Sequence, residues 1–332
     1  MPLSTASGKQ LLASSRRYAV PVHTKSWLQL LSTLLLFLFL WLLMYFSLRF
    51  SYLSTLALAL PAAGCLLRCF MIQHDCGHHS LFRSSALNDW TGRVLSLLTL
   101  TPYSSWRASH AHHHAHSGNL DRRGVGDIYT LTVSEYVGLS PTRRLLYRLY
   151  RNPLFLCLFG GPILFLFVYR LPIRSGCSRY RSLLSSQLTN VGLVGAAGLT
   201  AALVGAPELA KIHLPIIVLA ANLGVWMFIV EHQFEMTYWK RENEWEFHAA
   251  ALNGSSFVQL PRLLSWFTGN IGIHHIHHLN SRIPNYRLRE FLRDHPELLI
   301  LNRMPWGDGL RSMNLALWDE KQQRLVRFRE LN

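Results

Sequence analysis

The stretch Leu154-Phe155-Leu156-Cys157-Leu158-Phe159-Gly160-Gly161-Pro162-Ile163-Leu164-Phe165-Leu166-Phe167-Val168 decides how this chain is folded. It is apolar, yet Gly160, Gly161 and Pro162 interrupt it in the middle. If it crosses a bilayer, everything after it changes sides. Directly behind it come Arg170, Arg174, Arg179 and Arg181. Arginines beside membrane segments collect on the cytoplasmic face. That face is also expected for the basic N-terminal segment with Lys9, Arg16, Arg17 and Lys25. The stretch is therefore read as not crossing. A fifth crossing is the competing reading, since membrane helices tolerate Gly and Pro.

A hydrocarbon core of ~30 Å takes about 20 helical residues. Residues 27–48 form an almost pure Leu/Phe run of that length. Residues 52–72 form a second, with Pro61 and Gly64 inside it and Arg68 near its end. The short loop between them makes a hairpin. Residues 188–206 are Gly/Ala-rich, and 212–230 follow a turn containing Pro207, giving a second hairpin. Residues 94–100 are too short to span and are placed at the interface. The predicted fold is all-α: an integral membrane domain of four transmembrane helices in two hairpins. Residues 73–187 and 233–332 are expected to form a helical cytosolic cap, the whole of 1–332 being one domain. Both termini and the cap then lie on the cytoplasmic side.

Composition agrees with a membrane setting. Half of the 332 residues are hydrophobic and 15% are charged, against about 25% in soluble domains. The net charge is +15, which suits anionic lipid or an acidic partner protein. No basic stretch is interleaved with aromatics, so nucleic acid is not an expected partner. The five cysteines Cys65, Cys69, Cys76, Cys157 and Cys177 form no CxxC pair, so neither a disulfide framework nor a thiolate metal site is expected. Residues 1–26 lack the apolar core and cleavage site of a secretory signal, so the first apolar run is expected to stay as an anchor.

Histidine is the outlier: 12 of the 17 fall in three short windows. The first window holds His74, His78 and His79. His74 and His78 share a helical face at i and i+4, just beyond the second span. In the second window, His110, His113 and His114 share a face, and His112 and His116 point elsewhere. In the third, His274, His277 and His278 repeat that spacing, and His275 points away. A one-step slip in the second window, with His112 as a ligand, stays open. Neutral imidazole suits Fe, Zn, Cu and Ni. Zinc takes four ligands, or three and a water. Eight imidazoles therefore fit two metals of higher coordination better than one zinc. His232 closes the fourth span on the same side and is a ninth candidate. Asp75, Glu235 and Asn270 are candidates to orient the imidazoles. His79, His112, His116 and His275 are expected to support the ligands or to be solvated. His23, His213, His248 and His295 are isolated and given ordinary roles. No catalytic residue is expected apart from the ligands.

Two other classes fit less well. A zincin-type protease would share the His74 to His78 spacing, but it wants Glu after the first histidine, and Asp75 stands there. A metal transporter would place its ionisable groups at bilayer depth, whereas these lie at span ends.

With these residues, the chain resembles the membrane fatty acid desaturases and their boxes HxxxH, HxxHH and HxxHH. His74-Asp75-Cys76-Gly77-His78 is similar to the first box of acyl-lipid desaturases acting at middle or methyl-end positions, the delta-12/omega-6-like type. Trp106-Arg107 before the second box, Gly118-Asn119-Leu120-Asp121 after it, and His277-His278-Leu279 at the third also match. The likeness runs from about residue 50 to 290. It implies a four-helix membrane domain capped by a part that holds two non-haem iron ions. The implied ligands are His74, His78, His110, His113, His114, His274, His277 and His278, and a histidine ending the fourth span supports His232. It further implies O2 as co-substrate and removal of two hydrogens from adjacent methylenes of a lipid acyl chain. The two electrons would come from a ferredoxin or cytochrome b5-type donor. No His-Pro-Gly-Gly haem motif is present, so the donor is expected to be a separate protein. A hydroxylase, ketolase, acetylenase or carotenoid-type oxygenase on the same boxes is the alternative. The second box departs from the pattern by carrying five histidines.

Overall fold

A computed structural model describes residues 5–171 and 178–331; Arg174 and Cys177 lie outside the described residues. Helices α1 (Thr5–Ser15), α2 (His23–Ser47), α3 (Tyr52–Gly77), α4 (Ser85–Thr99) and α5 (Tyr103–His116) follow one another. Next come α6 (Val133–Val137), α7 (Pro141–Tyr150) and α8 (Pro153–Phe155), which runs on through π-helical turns at Leu156–Gly160 and Ile163–Phe167. The later helices are α9 (Arg179–Val204), α10 (Ala206–His232), α11 (Phe247–Asn253), α12 (Arg262–Phe267), α13 (His274–Leu279) and α14 (Asn285–Asp294).

Four of these, α2, α3, α9 and α10, are long and apolar enough to cross a membrane. They extend beyond the predicted spans because a helix need not stop where the hydrocarbon does. The last turn of α3 carries His74, and the end of α10 carries His232. The turn between α9 and α10 shrinks to Gly205, whose φ of 97° suits glycine. The apolar window of α3 is 67% buried, against 28% for α2, 33% for α10 and 6% for α9. So α3 is the central post, and α9 turns nearly all of its apolar surface outward, as a lipid-facing helix does. Arg68, in the middle of α3, ties three elements together. It donates to Thr33 Oγ1 at 3.1 Å and Gln29 Oε1 at 3.3 Å on α2, and to the Trp266 carbonyl of α12, whose ring it covers at 4.1 Å. A charge at such depth needs this many partners.

The 154–168 stretch is a helix pair bent by 44°. Before it, Arg151 donates to Gln233 Oε1, just past the end of α10, at 2.8 Å. After it, the first turns of α9 return to α5, where Ser182 and Ser105 hydroxyls lie 3.0 Å apart. Between these points the pair descends along α10. Asn222 donates to the Leu158 carbonyl at 3.3 Å, and a Cβ on Gly161 would lie 2.6 Å from the Asn222 amide nitrogen. The descent is eleven residues of α10, or about 16 Å at 1.5 Å per residue. The chain then climbs until Phe165 meets Phe70 at 5.8 Å. The stretch enters and leaves at the histidine end of the bundle. Glycine at 161 permits the close backbone approach, and the Gly-Gly-Pro interruption falls at the bend.

Residues 94–100 do not form a separate interfacial piece. They complete α4, which buries Gly92, Leu95 and Ser96 and leaves Trp90 and Val94 exposed. The rest of the chain adds short strands to an otherwise helical fold. β1 (Leu131–Thr132) pairs in parallel with β4 (Leu317–Asp319), which pairs antiparallel with β5 (Arg324–Val326); β2 (Phe257–Gln259) runs parallel to β3 (Arg303–Pro305). These pairings hold the C-terminal segment against the segments around the histidines.

Candidate metal centre

Four elements deliver the nine candidate histidines to one place. His74 lies on the last turn of α3, and His78 caps that helix. His110, His113 and His114 come from α5, His232 from α10, and His274, His277 and His278 from α13. The side-chain nitrogens sort into two groups. His74, His78, His110, His114 and His277 each place one within 4.8 Å of the others, and so do His113, His232 and His278. His274 joins the second group, its ring 4.7 Å from that of His232 and 4.6 Å from that of His278. The structure thus sorts eight of the candidates into five and three, with the His274 ring beside the second group. The i, i+4 pair His110 and His114 serves one group, and His113 between them serves the other.

The chemistry of the facing atoms fits metal ions. Nε2 atoms meet at 3.0 Å between His78 and His110 and between His113 and His232. They meet at 3.1 Å between His110 and His114, His114 and His277, and His232 and His278. The His232 Nδ1 bonds the Phe228 carbonyl at 2.9 Å, which leaves its Nε2 as a lone pair aimed at two further imidazoles. Burial first, then crowding by neighbouring imidazoles, holds His78, His110, His113, His114, His274, His277 and His278 well below the usual imidazole range. They are neutral, as ligands must be. His274 has neither ring nitrogen bonded although it is buried. A convergent set of unprotonated nitrogens is what divalent metal ions satisfy.

Two carboxylates stand behind this set. Asp75 Oδ1 lies 3.7 Å from His74 Nδ1, while its Oδ2 accepts from the Asn285 backbone and side chain at 2.8 and 2.9 Å. Glu231 Oε2 lies 3.4 Å from His274 Nδ1. Asp75 thus lies beside His74, as expected, without a hydrogen bond to it. The other two orienting expectations are corrected. Glu235 turns outward to Arg324 at 3.0 Å. Asn270 has a φ of 58° and spends its side chain on the Asn285 carbonyl and Arg289. Glu231 was missed by sequence reasoning; a lone acid at the end of an apolar span, beside His232, was the available signal. Trp106 stacks on His110 at 4.8 Å and 13°.

The remaining histidines lie off the centre. His79 bonds Asp89 at 2.9 Å, and Tyr103 and Arg107 share that carboxylate. His275 is buried and bonds the Leu298 carbonyl at 3.2 Å. His248 packs against Gly8 of α1. His112 and His116 stack on each other at 4.4 Å on the other side of α5.

Taken together, the fold and site define a membrane-embedded helical protein built around a histidine-rich centre suited to metal. A model of the fatty acid desaturase family matches residues 50–308. The chain is 41% identical to the "Fatty acid desaturase" of Bacillus subtilis (strain 168), over 97% of its own length and 91% of the relative's. It is 27% identical to the "sn-1 oleoyl-lipid 12-desaturase" of Synechocystis sp., over 66% of this chain and 62% of that one. It is 31% identical to the "sn-1 acyl-lipid omega-3 desaturase (ferredoxin)" of Synechocystis sp., over 66% and 61%. The chain spans less than two thirds of these cyanobacterial relatives. It belongs to the fatty acid desaturase family, a family of oxidoreductases.

Proposed function

We propose that the protein introduces a double bond into a lipid-linked acyl chain at a centre of two iron ions. His74, His78, His110, His114 and His277 would hold one ion, and His113, His232, His274 and His278 the other. The observation that carries this is the convergence of nine imidazoles from four helices on two adjacent positions. The overall change is CH2–CH2 + O2 + 2 e⁻ + 2 H⁺ → CH=CH + 2 H2O. Iron would supply the O2 chemistry that breaks unactivated C–H bonds.

The chain's own residues bind and position. An apolar cleft with about 370 Å³ of empty space lies between α3, α4, α10 and the re-entrant pair, lined by Leu67, Phe70, Leu98, Phe165, Ala221 and Gly224 among others. Phe70 stands one turn before His74 and meets the Trp106 ring at 5.4 Å; Trp106 in turn stacks on His110. An acyl chain arriving from the bilayer through this cleft would pass Phe70 and Trp106 on its way to the centre. A second opening of about 320 Å³ has His113 and His232 in its wall beside Ser117, Asp127, Gln233 and Thr237. Ser117, Asp127, Gln233 and Thr237 in that wall supply polar groups beside the two histidines. Asp75 and Glu231 would hold His74 and His274 in orientation.

The names of the cyanobacterial relatives support a lipid-linked acyl substrate, and one that includes ferredoxin supports a ferredoxin-type donor. A cytochrome b5-type donor fits equally, and a net charge of +15 favours an acidic protein in either case. The arginines flanking the re-entrant pair support a cytoplasmic centre with both termini on that side.

The test is expression in a host lacking polyunsaturated lipids, with fatty acid methyl esters identified by mass spectrometry. A new double bond is expected, and it should vanish in His113→Ala and His277→Ala. A hydroxylated product would reassign the reaction. Purified protein with one zinc and no capacity for iron would overturn the di-iron reading.

A further inference from the structure

The segment Leu260-Pro261-Arg262-Leu263-Leu264-Ser265-Trp266-Phe267 is mostly apolar but far too short to span a bilayer. It belongs to the 233–332 stretch expected in the cap, yet it packs alongside the spans. Leu260 lies against the cluster that holds Leu67 and Met71 of α3. Farther on, the Phe267 ring occupies the space beside Gly64, where an added Cβ would stand 2.6 Å from it. The chain then turns back through Gly269 and Asn270, both left-handed with φ of 58°. A Cβ on Gly269 would meet Met71 at 3.0 Å. From Met71 to Gly64 and back to Met71 is a descent and a return.

Helix register gives the depth. The apolar run of α3 ends at Ile72. Gly64 stands eight residues inside that run, so Phe267 reaches about 12 Å down at 1.5 Å per residue. Helix α2 gives a matching level. Arg68 donates both to the Trp266 carbonyl and to Thr33, and Thr33 lies six residues, or about 9 Å, into the run that begins at Trp27. Hydrocarbon offers no water to backbone groups, and the segment is built accordingly. The Leu260 carbonyl accepts from the Ser265 hydroxyl at 3.2 Å. Those of Pro261, Leu264 and Ser265 accept from the amides of Ser265, Thr268 and Asn270 at 2.9, 2.9 and 2.8 Å. Arg68 serves the Trp266 carbonyl, which gives this buried charge a purpose in the middle of a span.

Leu263 and Leu264 are exposed on this segment, and so is Leu60, one turn beyond Gly64 on the same face of α3. The exposed leucines of the segment thus continue the exposed apolar surface of a span. Arg262, at the upper end of α12, is exposed as well, with a stem long enough to carry its charge up to lipid phosphates. We propose that residues 260–267 form a second, shallower membrane dip, with Leu263 and Leu264 covered by lipid acyl chains of the leaflet that the 154–168 pair enters. The dip lies directly before His274, so lipid contact would set the height of the third histidine window against the bilayer. Interfacial helices bury their apolar side about 5–10 Å in the same way.

The test uses the full chain in nanodiscs of phosphatidylcholine and phosphatidylglycerol, with a nitroxide on Leu263→Cys or Leu264→Cys. Val194→Cys, on exposed α9, is the lipid reference, and Gln322→Cys, in the exposed β4–β5 turn, is the water reference. The unsubstituted chain supplies the background from native cysteines. Collisions with O2, which concentrates in hydrocarbon, are compared with collisions with a polar nickel chelate, which is excluded from it. The O2-to-nickel ratio at 263 and 264 is expected near that at 194 and about ten-fold above that at 322. A ratio nearer to that at 322 overturns the proposal. Shielding from both collision partners also overturns it, since protein, a second copy of the chain included, would then cover the leucines. The labels report lipid whatever metal the centre holds, so this outcome is independent of the di-iron reading.

Discussion

Glu231 and His274 face each other across 3.4 Å, carboxylate oxygen to Nδ1, both buried and both held by segments that run past one another only in the folded chain. Neither ring nitrogen of His274 has a hydrogen-bond partner, and Glu231 Oε1 has none. The geometry supports one role for the pair: an Nδ1–H aimed at the carboxylate would leave the His274 Nε2 for metal. Glu231→Gln keeps the shape and removes the acid. Metal affinity is expected to fall about 10- to 100-fold, with the loss confined to the four-histidine position. Iron content and Mössbauer spectra of the two sites would check this; an unchanged spectrum would reject it.

The acyl cleft predicts a size effect at Gly224. A Cβ there would meet only Leu67 Cδ1, at an ordinary 3.6 Å. Gly224→Ala should therefore behave like the wild type. Gly224→Phe would fill the cleft and shift activity toward shorter chains, costing about 1–3 kcal/mol of transition-state binding for long ones. Chain-length profiles of the products test it.

The re-entrant pair predicts a contrast between two glycines. At Gly161 an added Cβ would press into the Ala221 backbone and the Asn222 amide nitrogen, whereas at Gly195 nothing lies within 4 Å. Gly161→Val should destabilise by about 1–3 kcal/mol through overpacking. Gly195→Ala, inside α9, should be neutral or slightly stabilising. Thermal unfolding in one detergent compares them directly.

Acid should destabilise the metal-free protein. Histidines 78, 110, 113, 114, 274, 277 and 278 have folded pKa values well below the usual 6.5, first through burial and then through one another. The unfolded chain then binds more protons once the pH drops below about 6.5. Stability should be level above that pH and fall below it. Unfolding midpoints of apo-protein between neutral pH and pH 5 measure the slope, and a flat profile would contradict the burial.

Sidedness is checked by reporters fused after Arg151, after Arg179 and after Asn332. All three should read cytoplasmic. A luminal or periplasmic signal after Arg179 but not after Arg151 would mean that the 154–168 stretch crosses.

Much of this was legible in the chain. The four long apolar runs mark the spans, because a bilayer needs a set length of helix. The arginines behind Val168 predicted that the 154–168 stretch does not cross as one straight helix, and it is a pair bent by 44°. Within each box, helical periodicity separated inward from outward histidines, because i, i+3 and i+4 share a face whatever the helix packs against. That logic placed His112, His116 and His275 off the centre, and it held.

What the tertiary structure decided concerns relations between segments. No spacing rule says that His113 serves a different position from its neighbours His110 and His114. That depends on where α10 and α13 meet α5. Nor does spacing choose between acids. Glu235 and Asn270 lie at plausible offsets, yet the backbone turns after α10 and before α13 carry them away, while Glu231 on the last helical turn stays. The depth of the Gly160–Pro162 dip was likewise set by how closely Gly161 lets two backbones approach. Local geometry is written in the order of residues, and the partners that distant residues meet are fixed only when the helices pack.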